Sequence, residues 1–165
     1  MQAFIAVGSN LGDRWLNLAL AARHLRAAGI PILRASRVWD TEPLGPPQPR
    51  YLNAVLEVET RLTPQGLLAV LRSVERAAHR RREGARWSAR TLDLDLLLFG
   101  ARGDRVVHEP GLTVPHPAIA ERSFVLAPLA ELAPALVIPG TGRSVEQLLA
   151  AAPASAIRAV GLYPL

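Results

Sequence analysis

The sequence predicts an α+β domain built on one antiparallel sheet, and three observations predict it. Short stretches that alternate apolar and polar residues are separated by clusters of Gly, Pro, Asn and Asp. Two longer stretches repeat their apolar residues at helical spacing. The two kinds of segment interleave as β-α-β-β-α-β.

The first strand is Ala3 to Val7, closed by Gly8-Ser9-Asn10, a turn cluster that also offers helix-capping side chains. A helix follows from about Asp13 to Ala28, with Trp15, Leu18, Ala22 and Leu25 on one face and Gly29-Ile30-Pro31 as its stop. Ile32 to Asp40 reads as one strand. After the proline-rich stretch Pro43 to Pro49 comes Leu52 to Thr60, where Leu52, Ala54, Leu56 and Val58 alternate with polar residues in a half-buried pattern.

The second helix starts after Thr63-Pro64, a cap followed by proline at the first helical position, and buries Leu67, Leu71, Val74 and Ala78. Arg72, Arg76 and Arg80 form a second stripe at spacing four. The fourth strand is Leu92 to Phe99, ended by the Gly100 to Gly103 turn, with Val106-Val107 as a possible returning partner. This order is the split βαβ, ferredoxin-like arrangement, with two helices on one face of the sheet. From about Glu109 the chain reads as an appended C-terminal extension, with short helices near 118 to 131 and 144 to 151 and a strand near 157 to 162.

At 165 residues the chain is expected to form a single domain over 1–165, long enough to bury roughly 70 % of its unfolded surface. It has no Cys, which excludes a thiolate nucleophile, a Cys-bound zinc and a disulfide frame. All 19 basic residues are Arg, so a P-loop lysine and a Schiff-base lysine are excluded too. No basic segment precedes the apolar start, and no run reaches the roughly 18 apolar residues of a membrane span. A cytoplasmic protein that works away from membranes is expected, monomeric for want of a long apolar surface stripe.

Residues 72 to 90 hold seven Arg against Glu75 and Glu83, while the other 146 residues carry 12 Arg and 12 acids. The whole net charge of +5 therefore sits in one segment. An anionic partner and a solvated helix face with a basic loop both account for it. Directly after it, Asp93 and Asp95 lie two apart in a strand, so they share a face, with Leu92, Leu94, Leu96 and Leu98 turned to the core and Leu97 and Phe99 following the acids. Two such acids repel unless a cation lies between them, and magnesium takes one or two carboxylates together with water and phosphate. Exposed polar strand positions, or partners of nearby Arg, are the plainer reading of a DxD pair. The adjoining arginines favour phosphoryl transfer.

The run Arg86-Trp87-Ser88-Ala89-Arg90-Thr91-Leu92-Asp93-Leu94-Asp95 strongly resembles the signature of the 6-hydroxymethyl-7,8-dihydropterin pyrophosphokinase family of the folate pathway. Supporting matches follow in order: Ala6-Val7-Gly8-Ser9-Asn10, Tyr51-Leu52-Asn53-Ala54, Leu112-Thr113-Val114-Pro115-His116 and Arg122-Ser123-Phe124. They spread over about 120 residues, and the family fold is the ferredoxin-like one. The resemblance implies transfer of pyrophosphate from ATP to the hydroxymethyl group of 6-hydroxymethyl-7,8-dihydropterin, with release of AMP and no protein nucleophile.

By the same resemblance Asp93 and Asp95 hold two magnesium ions, and Arg80 and Arg90 complete the catalytic set. Glu75, Arg82, Arg90, Thr113, His116 and Arg122 bind ATP, Arg80 and Arg82 from a loop that closes over it; Glu75 could equally pair with Arg72 or His79 one turn away. Thr41, Pro43, Leu44, Tyr51, Asn53, Trp87 and Phe124 bind the pterin, a role that suits aromatic faces and an amide. Four features depart from the family pattern. Ser88-Ala89 replaces its common Gly-Pro, and the proline-rich loop is one residue shorter. Gly111 and Pro117 stand where relatives can carry Arg and an aromatic.

A ferredoxin-like sheet with a basic segment can instead bind RNA, but the aromatic RNP run that this needs is missing and aromatics are only 5 % of residues. No nucleic-acid partner is expected. A pterin-binding module without turnover is the third reading, and the intact acid pair argues against it.

Overall fold

The computed structural model describes residues 1–78 and 91–165. Its main sheet contains β1 (Gln2–Ser9), β2 (Ile32–Ala35), β3 (Val38–Thr41), β4 (Tyr51–Glu59), β5 (Asp93–Phe99) and β10 (Ile157–Gly161). They lie in the order β10-β3-β4-β1-β5, with β2 also paired to β4, and every pairing is antiparallel. Two small ribbons, β6 (Val107–Glu109) with β7 (Leu112–Val114) and β8 (Val137–Ile138) with β9 (Arg143–Ser144), stand apart from it.

Helices α1 (Arg14–Ala27) and α2 (Pro64–Ala77) cover one face. Asp13 caps the first through the backbone N–H of Leu16, and Thr63 caps the second through that of Gly66. Leu18, Ala21, Ala22 and Leu25 from α1 and Leu67, Leu71 and Val74 from α2 meet Ile5, Val7, Leu56 and Leu94 of the strands. Trp15 does not join the expected stripe. It is 39 % exposed and lies against Gly161 of β10, because the buried face of α1 begins a turn later, at Asn17 and Leu18.

The C-terminal segment is more than the appended extension expected. A 3-10 turn (Ile119–Glu121), α3 (Ser123–Leu132) and α4 (Val145–Ala151) cover the second face, burying Val125, Leu126, Leu129, Val145 and Leu148 against Phe4, Val55 and Leu97. β4 is therefore buried on both faces through its second half, not half-buried, and Glu57 there is 5 % exposed and paired with Arg34 at 2.6 Å. β10 extends the main sheet beside β3. Tyr163 just beyond it donates its hydroxyl to the carbonyl of Leu18 at 2.7 Å, and burial pushes its pKa upward.

Three local expectations change for identifiable reasons. The single strand Ile32 to Asp40 is two, because at Ser36 the side-chain oxygen accepts from Val55 N while Ser36 N donates to Val55 O, each at 2.9 Å. A hydroxyl has replaced a ladder carbonyl, and the register slips. Val107 pairs with Val114 of β7, not with β5. On β5, Phe4 opposes Leu98 and Ile5 opposes Leu96, so Leu97 is an extra residue. Beyond that bulge the faces exchange: Phe99 joins the α1/α2 core, and Leu98 joins Leu97 under α3.

Candidate active site

The register of the central strands builds the floor of the site. Gly8 of β1 stands opposite both Asn53 of β4 and Asp93 of β5, and one step along, Ala6 stands opposite Val55 and Asp95. The two acids and the amide thus share the sheet face on which α3 packs, with the smallest residues between them. A Cβ on Gly8 would meet Asn53 Oδ1 at 2.5 Å and Tyr51 Cδ1 at 3.4 Å, so glycine alone keeps this row open. Asn53 is fixed from the other side, where its Nδ2 donates to Thr41 Oγ1 at 2.7 Å and Thr41 is fully buried.

The outer edge of β5 carries two more groups. Leu94 N donates to Glu75 Oε1 of α2 at 2.9 Å, and His116 N donates to Leu97 O at 2.9 Å. Glu75 is 4 % exposed; its carboxylate takes the strand N–H, and no ion pair joins it to Arg72 among the described residues. The His116 ring accepts at Nδ1 from Ala118 N at 3.2 Å. That bond leaves the proton of the neutral ring on Nε2. Burial lowers the His116 pKa from its ordinary value, the Arg122 guanidinium lowers it further, and Asp93 raises it in part.

Two cavities adjoin at the acids. One, of about 280 Å³, is lined by Gly8, Leu44, Tyr51, Asn53, Arg122 and Phe124, with Glu42 at its wall. The other, of about 420 Å³, is lined by Leu68, Arg72, Glu75, Gly111, Thr113 and Pro117. Asp93, Asp95 and His116 line both.

Most of the residues expected from the sequence therefore come together. Tyr51, Asn53, Leu44 and Phe124 share the smaller cavity, and Thr41 supports it from behind; Pro43 is outside its lining. Glu75 and Thr113 share the larger one. Arg122, expected with the nucleotide, lines the smaller cavity instead, its guanidinium 5.7 Å from the centre of the Phe124 ring. Arg80, Arg82, Trp87 and Arg90, with His79, Ser88 and Ala89, lie outside the described residues. Sequence reading did not name Gly8, Glu42 or Arg72 as lining groups; Gly8 carried a signal as a glycine where a strand ends, and Arg72 as the first member of the arginine-dense segment.

Asp93 and Asp95 supply two carboxylates from one strand face, and no group of three or more His, Asp or Glu side chains suited to a metal occurs among the described residues. A donor set of that size suits a hard divalent ion that keeps water and takes its other ligands from phosphate. A closed structural metal centre needs more protein ligands.

An antiparallel α+β domain whose sheet sets a carboxylate pair between two adjoining cavities has the layout of a two-substrate group-transfer enzyme. The 7,8-dihydro-6-hydroxymethylpterin-pyrophosphokinase family model matches residues 4–134, and the chain belongs to that family. Membership makes it an enzyme of pyrophosphoryl transfer to hydroxymethyldihydropterin.

It is similar to the 2-amino-4-hydroxy-6-hydroxymethyldihydropteridine pyrophosphokinase of Methylorubrum extorquens, with 43 % identity over 96 % of this chain and 98 % of that protein. The Pseudomonas aeruginosa enzyme of the same name is 41 % identical, over 92 % of each chain. A crystal structure of an HPPK-DHPS with substrates shares the fold at a TM-score of 0.69 and 11 % identity, and wild-type Plasmodium falciparum HPPK-DHPS does so at 0.66 and 12 %. These matches cover 91 % of this chain and 43 % and 40 % of those longer chains. No described helix is long and apolar enough to cross a membrane.

Proposed function

We propose that ATP occupies the larger cavity, 6-hydroxymethyl-7,8-dihydropterin the smaller one, and that pyrophosphate passes between them over Asp93 and Asp95. The observation that carries this reading is that Asp93, Asp95 and His116 line both cavities. The hydroxymethyl oxygen attacks the β-phosphorus and its proton passes to solvent water. A bond forms from that oxygen to the β-phosphorus, the bond from the β-phosphorus to the bridging oxygen breaks, and AMP leaves with that oxygen. Each substrate is held by its own walls, so the entropy of bringing the reacting atoms together is met in advance.

Tyr51 and Phe124 receive the faces of the pterin ring, and Asn53, immobilised by Thr41, meets its hydrogen-bonding edge. Leu44 supplies the apolar wall, Thr41 and Pro43 the backbone beside it, and Trp87 completes the pterin-binding set. On the nucleotide side Glu75 and Thr113 hold ATP with Arg82, while Arg80 and Arg90 meet the transferring phosphates in the bidentate manner that suits guanidinium. His116 donates from Nε2 to a phosphate oxygen, and Arg122 faces the same phosphates from the pterin side.

Asp93 and Asp95 would hold two magnesium ions, which offset the charge on the transferring pyrophosphoryl group. The same reading takes residues 1–165 as one domain working as a cytoplasmic monomer, with no nucleic-acid or membrane partner. The test is nucleotide product analysis with ATP, magnesium and the pterin, each omitted in turn. AMP is expected only when all three are present. Release of ADP, or no turnover by folded protein, overturns the reading.

A further inference from the structure

The proline-rich loop between β3 and β4 forms one wall of the smaller cavity, and a relay of two side-chain amides fixes its shape. Asn10, at the end of β1, is 2 % exposed and donates from Nδ2 to Gln48 Oε1 and to Pro49 O, each at 2.9 Å. Gln48 passes the constraint on, donating from Nε2 to Leu44 O at 3.1 Å and to Pro46 O at 3.3 Å. Leu44 lines the cavity and is 42 % exposed, so packing contributes little to holding it there.

The ends of the loop are fastened separately. Thr41 is held by Asn53, while Arg50 bonds to the Asp40 carboxylate, donates to Ala156 O at 2.7 Å and accepts at its own carbonyl from Arg14 at 3.0 Å. Between those anchors four prolines remove backbone donors at positions 43, 46, 47 and 49. The carbonyls of Leu44 and Pro46 therefore turn to a side chain, and Gln48 is the group that answers them. An amide is needed, since one end must accept from Asn10 while the other donates to the loop.

We propose that Gln48, anchored by Asn10, is a positioning residue that sets the Leu44 wall before the pterin binds. It touches no reacting atom; it acts by sparing the pterin the entropy of ordering the loop. The inference rests on the assignment of the smaller cavity to the pterin. Gln48→Glu separates the two halves of the relay, keeping the acceptor for Asn10 while removing the donor to Leu44 and Pro46. Gln48→Ala removes both.

The experiment measures dissociation constants for 6-hydroxymethylpterin and for a non-hydrolysable ATP analogue, with kcat, melting temperature and amide hydrogen exchange over residues 41–53. Both variants are expected to bind the pterin about tenfold more weakly, the effect of losing one or two neutral hydrogen bonds. Exchange should rise within that loop, with ATP-analogue affinity and kcat at saturating pterin within about twofold of wild type. Unchanged pterin affinity in a folded variant overturns the relay. So does a parallel loss of pterin affinity, ATP affinity and melting temperature, which marks Gln48 as merely structural. Failure of the wild-type protein to bind pterin at all would overturn the cavity assignment and the relay with it, whereas a variant-only result bears on the relay alone.

Discussion

Leu94 donates its backbone N–H to the buried carboxylate of Glu75 at 2.9 Å, fastening helix α2 to the strand residue that separates Asp93 from Asp95. Among the described residues β5 is an edge strand, and no described strand lies beyond it to receive that N–H. Glu75→Ala should therefore leave a buried amide unpaired and cost about 1–3 kcal/mol in denaturant unfolding, and should lower kcat through the displaced acids. Glu75→Gln keeps an acceptor and should recover most of the stability. Equal losses in the two variants would mean that the strand N–H is not what Glu75 serves.

Asp95→Ala deletes a carboxylate from the face shared by both cavities and removes no core volume. Turnover measured as AMP release should fall by about a thousandfold, the scale on which electrostatic stabilisation of a transition state operates. The variant should stay folded, because Asp95 is half-buried on β5 and contributes nothing to the core. Near wild-type turnover would remove the metal-binding role.

The frame of the molecule was legible because its signals are local. Asp13 and Thr63 mark helix starts, Gly29 and Pro31 a stop, and period-two alternation marks Leu52 to Val58. What the alternation hid was the second layer. Val55 and Leu97 are buried beneath α3 and α4, and the unbroken apolar run Leu96 to Phe99 already hinted that both faces of β5 are covered there. The bulge at Leu97 was not legible, since one extra residue leaves no mark in a run of leucines. In the site, Asp93 and Asp95 announced themselves by spacing, whereas Gly8 matters through what it lacks, and Arg122 and Phe124 line the smaller cavity because α3 covers that face of the sheet.

His116 gives the protein a pH dependence whose sign can be worked out. Its pKa in the folded state is depressed below the ordinary 6.5, first by burial and then by Arg122. The unfolded chain thus takes up a proton at a higher pH than the folded one. The resulting stability is fully present above the unfolded pKa and is lost as pH falls from there through the folded pKa. In metal-free protein, the wild-type melting temperature should drop more steeply below pH 6.5 than that of His116→Gln, and the two should run parallel above it. Parallel curves throughout would mean that the ring is solvated in the folded state.

Gly8→Ala tests the floor of the smaller cavity without touching any charged group. The new methyl would lie 2.5 Å from Asn53 Oδ1, and Asn53 cannot simply swing aside, because its Nδ2 is held by buried Thr41 at 2.7 Å. Either that bond or the position of the amide must yield. The larger cavity contains neither Gly8 nor Asn53. Pterin affinity should therefore fall by about tenfold or more, the equivalent of one or two lost hydrogen bonds, while affinity for an ATP analogue stays near wild type. Fluorescence titration of each ligand separates these outcomes. A uniform fall in both would point to a distorted sheet, and unchanged pterin binding would mean that Asn53 is not the amide that reads the pterin edge.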